Sequence, residues 1–207
     1  MRRIRTILKG YELTFMSGFS ASASRIGAPD LGLMSYTEVV DQVRNISYVQ
    51  TNGDSVMPLI RLAKQNDLDS IVTLLADDPL GSKRENSILP AAAEYQEAFR
   101  AITQDENQFL AVADIEGRVV GCLQLTFIPG LSHKGMWRGQ IEGVRIAKSM
   151  RGQGIGRALF DWAIEQCREK QCGLVQLTTD KTRPDAHEFY FVLGFAASHE
   201  GMKLKLR

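Results

Sequence analysis

The chain has 207 residues, enough for one ordinary domain with an extension and short for two independent cores. Hydrophobic residues make up 44% and charged residues 24%, which excludes a largely disordered, collagen-like or coiled-coil protein. Lys and Arg total 25 against 24 Asp and Glu, a formal net charge of +1, so no chain-wide electrostatic claim on nucleic acid or membrane is expected and only a local basic site stays open. Cys122, Cys167 and Cys172 are too few and odd in number for a disulfide framework, which suits a reducing compartment. They share no zinc-type spacing with His133, His187 or His199, so no metal is expected.

Residues 1–56 read as an N-terminal extension. Before Asp30 the chain carries Arg2, Arg3, Arg5, Lys9 and Arg25 against one acid, Glu12, among many Ser and Gly. That composition is shared by transit peptides, flexible arms and translation starts placed upstream; the last two are favoured. Ser35 with Glu38 reads as a capping box ahead of Val39, Val40 and Val43, a short helix. Residues 57–207 form the main domain. Pro58 to Ala63 alternates like a strand, and Asn66 is expected to cap a helix carrying Leu68, Ile71, Val72 and Leu75. A second helix opens near Pro90 and lines Ala91, Tyr95, Ala98, Phe99 and Ile102 along one face. Gln108–Ala113 and Arg118–Phe127 are strands joined by a turn at Asp114, Glu116 and Gly117. Gln140–Ile146 is a strand, Ile155–Lys170 a helix stopped by Gly173, and Leu174–Thr179 a strand. Pro184–Phe191 is a helix ended at Gly194, and Phe195–Leu206 is expected to supply a final strand. The order is that of a mixed α/β domain with one core.

The most informative run is Arg151-Gly152-Gln153-Gly154-Ile155-Gly156-Arg157, between a strand and an amphipathic helix. Glycines let main chain approach a ligand closely, and the helix start offers unpaired N–H groups that attract anions. Lys148, Arg151 and Arg157 stand nearby. The pattern reads as a phosphate or diphosphate cradle, with a ligand-free tight turn as the alternative. It is not a Walker loop, because Arg157 and Ala158 follow Gly156 where Lys and Ser or Thr are required. It fails the dinucleotide fingerprint at Arg157 or Leu159, depending on the frame.

Three runs in order resemble the GNAT superfamily of N-acetyltransferases. Arg151, Gly154 and Gly156 fill the family's acyl-CoA pyrophosphate loop, Ile141–Ile146 looks like its fourth strand, and Ala186–Phe195 resembles its Ala-x-x-Phe-Tyr…Gly-Phe signature. The resemblance covers roughly Leu59–Leu206. It implies a central mixed β-sheet splayed between the family's strands 4 and 5, with helices on both faces, and acetyl-CoA in the opening. It also implies direct attack on the thioester by a primary amine that enters from the opposite side. Main chain of Val144, Arg145 and Ile146 would pair with the pantetheine. Amides of Gly152, Gln153, Gly154, Ile155 and Gly156 would take the diphosphate, with charge from Arg151 and Arg157. Glu142 matches the family's general base and equally reads as a surface charge; Asp180 is a second carboxylate. Tyr190 matches the tyrosine acid that protonates the leaving thiolate, or else a core aromatic. The Val144 N–H would hold the oxyanion. Arg183 stands where the family often has Asn, which puts that contact with the carrier in doubt.

The expected acceptor is a small-molecule amine, in the cytoplasm, with a homodimer common in the family and no nucleic acid or membrane partner. The regions expected to set specificity are Asp77–Asn86 and Ile128–Gly139, whose mixed charges favour neither an anionic nor a cationic acceptor. Alternatives are a protein N-acetyltransferase, a non-catalytic acyl-CoA-binding module, which the presence of Tyr190 and Glu142 disfavours, and a nucleotide-phosphate binder.

Overall fold

The computed structural model describes residues 4–8, 11–16, 20–25, 57–77 and 81–206. The chain divides into two compact units, Met1–Ser47 and Tyr48–Arg207. In the first, β1 (Ile4–Leu8), β2 (Tyr11–Met16) and β3 (Ser20–Arg25) form an antiparallel meander. The short helix expected near Ser35–Val43 lies outside the described residues.

The second unit holds a five-stranded sheet in the order β4-β5-β6-β7-β8, made of Leu59–Leu62, Gln108–Ile115, Arg118–Ile128, Arg138–Ile146 and Leu174–Leu177. All neighbours are antiparallel except β7 and β8, which are parallel. Between the strands lie α1 (Leu68–Ala76), α2 (Ala93–Gln104) and α3 (Ile155–Glu169), and α4 (Pro184–Val192) follows β8. The sheet is mixed and flanked by helices, as the sequence predicts.

Strand alternation sorts the side chains. Ala111, Leu123, Leu125, Phe127 and Ile141 face α3, whose Ile155, Leu159, Phe160, Trp162, Ala163 and Cys167 complete one core. Phe160 is fully buried, with ring contacts of 5.5–6.0 Å to Phe189, Tyr190 and Phe195 that seat α4 beside the sheet. On the opposite face, Val112 and Cys122 pack with Ile71 and Leu74 of α1. Arg61 of β4 donates to Asp67 and to Asp114 (2.6 and 2.8 Å), tying the start of α1 to the β5–β6 hairpin. At that turn Glu116 and Gly117 both have positive φ, and Asp114 Oδ1 accepts the Gly117 N–H at 2.7 Å.

Several local expectations are corrected. Asn66 lies inside a short 3-10 turn, Gln65–Asp67, and the carboxylate that accepts a main-chain N–H there is Asp67, from Lys64 at 2.7 Å. α2 starts at Ala93 rather than at Pro90, and Ala98 is exposed. The stop of α3 is not Gly173. Gln171 has φ +59, Cys172 N–H donates to Cys167 O (2.8 Å) and Gln171 N–H to Arg168 O (3.0 Å), which is a Schellman motif with Gln as its left-handed residue. Cys167 and Cys172 therefore occupy the motif's two apolar contact positions, and burial pushes the Cys167 thiol up to about 12. Gly173 has a different role: a Cβ there would meet Met136 Sδ at 2.3 Å.

The final strand does not form among the described residues. After Phe195 the chain joins no strand, and Met202, Leu204 and Leu206 are 92%, 86% and 87% exposed. Alternating apolar and charged residues favour extended backbone but do not provide the partner a strand needs.

Candidate active site

β7 and β8 run in register for four pairs, Arg138 with Leu174 through Ile141 with Leu177. There β8 ends, while β7 continues to Ile146. The two strands thus part after Ile141, which leaves one edge of β7 from Glu142 onward without a strand partner.

A bulge sits at the start of this open stretch. Cys122 faces Arg145 and Gln124 faces Glu142, so Gly143 and Val144 together oppose Leu123. Gly143 has φ +61, which a residue with a Cβ adopts only under strain. Cys122 Sγ–H donates to Gly143 O at 3.5 Å, and burial pushes that thiol up to about 12, so it stays a protonated donor. A bulge frees one residue's main-chain groups from the ladder at the point where the strands separate.

The glycine turn follows at the mouth. Gly152 and Gly154 have φ +76 and +81, and Gly154 is the residue before the first turn of α3. The first helical bond of α3 runs from Ala158 N–H to Gly154 O. Among the described residues no backbone bond takes its donor from Gly154, Ile155, Gly156 or Arg157. Gly156 lies beside Phe189, and a Cβ there would make an ordinary contact of 3.5 Å with Phe189 Cζ. Gln153 donates to Ser149 O (3.2 Å), inside the turn.

The arginines divide differently from the sequence reading. Arg151 donates through Nε to Ile146 O and through Nη2 to Asp77 O, both at 3.2 Å, so it ties the turn to the end of β7 and of α1. Arg157 pairs with Asp161 at 3.1 Å on the exposed flank of α3. Arg145 donates to Val144 O at 2.8 Å. Two of the three strand carbonyls expected to meet a carrier thus already accept an arginine, and a carbonyl has a second lone pair for a further donor.

Tyr190 stands on α4 with its ring between Phe160, Phe189 and Phe195, and it reaches Thr179 with its hydroxyl. Burial raises its pKa, opposed by the charges of Arg183 and Arg145 and by Thr179. The phenol therefore holds its proton across the neutral range and can donate it. Arg183, at the residue before α4, is close enough to act on that phenol. Glu142 is exposed on β7, across from Gln124. Asp180 is a poorer base than the sequence suggests, since bonds from Thr182 Oγ1 (2.7 Å) and Thr182 N–H (2.9 Å) hold its carboxyl below the usual range.

Sequence reasoning missed a polar row on the sheet face opposite α3. Gln108, Thr126, Gln140 and Gln176 stand opposite one another across β5, β6, β7 and β8. Gln176 donates to Gln140 Oε1 at 2.7 Å, and Gln124 donates to Gln108 Oε1 at 2.9 Å. The signal was present as glutamines at alternate strand positions, but alternation alone reads as a solvated face.

Where β7 runs on past the end of β8, the described sheet offers a main-chain edge that leads to the glycine turn. The family follows from known proteins. The model of the Acetyltransferase (GNAT) family matches residues 68–195, and the chain belongs to that family and is an N-acetyltransferase. It is 33% identical over 151 residues to the aminoalkylphosphonate N-acetyltransferase of Salmonella typhimurium, covering 70% of this chain and 91% of that one. It is 38% identical over 91 residues to the glucosamine 6-phosphate N-acetyltransferase of Trypanosoma brucei brucei, 44% of this chain and 59% of that one. A crystal structure described as a transcriptional regulator from Bacillus halodurans superposes with a TM-score of 0.70 at 52% identity, covering 71% of this chain and 98% of that one.

Proposed function

We propose that the protein transfers the acetyl group of acetyl-CoA to the primary amine of a small-molecule acceptor by direct attack, without an acyl-enzyme. The observation that carries this is the bulged edge of β7 at Gly143, running from the split in the sheet to the amides of Gly154–Arg157, which donate to no main chain among the described residues. The two residue sets fit the carrier's two parts. Strand edge suits a chain with alternating amides, and helix-start amides suit a diphosphate. Both named relatives act on small amines rather than on proteins, which supports a small-molecule acceptor over a protein N-terminus or lysine.

Each residue then has a step. Glu142 takes a proton from the acceptor ammonium, directly or through water, so that a neutral amine attacks the thioester carbonyl. The Val144 N–H at the bulge holds the oxyanion of the tetrahedral intermediate. Collapse breaks the C–S bond, Tyr190 gives its proton to the departing thiolate, whose conjugate thiol has an ordinary pKa near 8.5, and the attacking nitrogen sheds its remaining extra proton through water, which restores the phenol. Acetyl amide and CoA thiol leave.

The main domain is taken as residues 57–207, and the reaction is assigned to the cytoplasm. Among the described residues no helix is long and apolar enough to cross a membrane, and Cys122, Cys167 and Cys172 are free thiols. A homodimer is also proposed. The exposed Met202, Leu204 and Leu206, and the outer edge of β8, which pairs with β7 alone among the described strands, support it; sedimentation of the full chain against one truncated after Ser198 tests it. Thiol release from acetyl-CoA with a panel of amines, product mass recorded, tests the activity. Binding of CoA with no acetylated product from any amine would leave the non-catalytic module in its place.

A further inference from the structure

Among the described residues, helices cover only part of the sheet face opposite α3. α1 and α2 pack on its apolar part, around Leu110, Val112 and Cys122. The remainder is the cross-strand row Gln108, Thr126, Gln140 and Gln176, with Gln124 and Glu142 forming the next row toward the bulge. These glutamines and Thr126 are half-buried, and Glu142 is exposed. A half-buried sheet face paved with carboxamides is a poor core and a good surface for hydroxyl groups, because each amide both donates and accepts. On the side of this row away from the bulge stands Arg138, paired in register with Ile128 and Leu174. Gly139 and Ile141 point to α3, so alternation puts Arg138, Gln140 and Glu142 on the paved face.

Among the described residues Arg138 has no counter-charge within ion-pair distance. Its Nε is buried without a hydrogen-bond partner among the described residues, and none of the described ion pairs includes it. A half-buried guanidinium without an anion leaves its charge uncompensated unless a ligand supplies one. Four residues of strand, about 13 Å, separate its backbone from that of Glu142. The pocket of about 310 Å³ between α1 and the end of β7 makes a poor alternative for an anion, since it presents Asp69 and Asp77.

We propose that this paved face is the acceptor subsite, and that it takes an extended, hydroxyl-bearing amine with an oxyanion at the end remote from the nitrogen. The amine lies at Glu142, the glutamine row reads the hydroxyls, and Arg138 pairs with the oxyanion. The assignment rests on the acetyl-transfer reading above and adds the class of acceptor to it. Arg138 acts on specificity and touches neither the thioester nor the attacking nitrogen.

The test uses the full chain with acetyl-CoA and three probes: a 2-amino-2-deoxyhexose, its 6-phosphate and its 6-sulfate. The two charged sugars are expected to have the higher kcat/KM. Arg138→Gln is expected to raise their KM about 10- to 100-fold, the effect of losing a charged hydrogen-bonded contact, with kcat and the uncharged sugar unchanged and partial recovery in Arg138→Lys. A preference for the phosphate over the sulfate would place the ligand among phosphate monoesters. Gln140→Leu is expected to weaken all three sugars alike. Equal use of charged and uncharged sugars, or an Arg138→Gln variant that slows both equally, would overturn the proposal; thermal melts of the variants separate this from misfolding. If no sugar is acetylated, the transfer reading is what has failed there, and calorimetry on the CoA-saturated protein still decides the subsite. Tighter binding of the 6-phosphate than of the plain sugar, lost in Arg138→Gln, upholds it, and no such difference rejects it.

Discussion

The two ends of β7 are built from different material. At the Ile146 end the structure offers main chain: a bulge at Gly143, an open strand edge and the amides after Gly154. At the Arg138 end it offers side chains: a guanidinium and carboxamides on a paved sheet face. Main-chain groups are the same in every residue, so that end depends on a few glycines and tolerates change elsewhere. Side chains are individual, so the other end can differ in chemistry from one relative to the next while the fold stays fixed. A carrier shared across a family belongs at the first end, and a private acceptor at the second.

The largest effect expected from breaking this division is at Gly143. A valine there would have to hold φ near +61, a conformation β-branched residues rarely adopt, and would flatten the bulge or strain it by about 1–3 kcal/mol. Losing the aligned N–H is expected to lower kcat about 100- to 1000-fold, a larger effect than any on the affinity for CoA measured by calorimetry, because the amides after Gly154 are untouched. A Gly143→Val protein that turned over normally would remove the bulge from the mechanism.

Tyr190→Phe comes next. Removal of a proton donor is expected to lower kcat about 100-fold or more. The pH profile gives a sharper reading. An acid must be protonated to act, and burial raises the Tyr190 pKa above its ordinary 10. The wild-type kcat should therefore hold through neutral pH and fall only as pH rises past that raised value; the phenylalanine variant should lack that alkaline fall. An unchanged alkaline limb in Tyr190→Phe would assign the proton to another donor. The ring's contacts with Phe160 and Phe195 survive the substitution, so the melting temperature should move little.

The same division explains what the sequence disclosed. The glycine turn, the strand before it and the Phe189-Tyr190 helix were legible because main-chain chemistry needs particular residues, glycine above all, at particular places. The paved face was not legible: Gln108, Gln124, Gln140 and Gln176 alternate with apolar neighbours like any solvated strand, and only cross-strand register brings them into rows. The partners of Arg151 were hidden for the same reason, since Asp77 is 74 residues away in the chain. The end of α3 misled because glycine is the usual left-handed residue there, whereas Gln171 takes that place. The tail misled in the other direction, since the alternation of Met202, Leu204 and Leu206 is strand-like but finds no partner within the described residues.

The smallest expected effects separate the two arginines that flank the turn. Arg151→Ala removes both ties, to Ile146 O and to Asp77 O, and should loosen the turn as well as take away a charge. Its KM for acetyl-CoA is expected to rise about tenfold, the loss of roughly one charged hydrogen bond. Arg157 is 57% exposed and bonded to Asp161, itself 56% exposed, one turn further along α3. An exposed pair of that kind is worth about 0–1 kcal/mol, and its charge is already balanced by the aspartate. Arg157→Ala is therefore expected to change the KM for acetyl-CoA by less than about threefold, and to do so equally at low and high salt. A larger, salt-sensitive rise would mean that Arg157 leaves Asp161 to meet the carrier. The carrier end of β7 would then rely on individual side chains as the acceptor end does, and the contrast between them would narrow to the bulge alone.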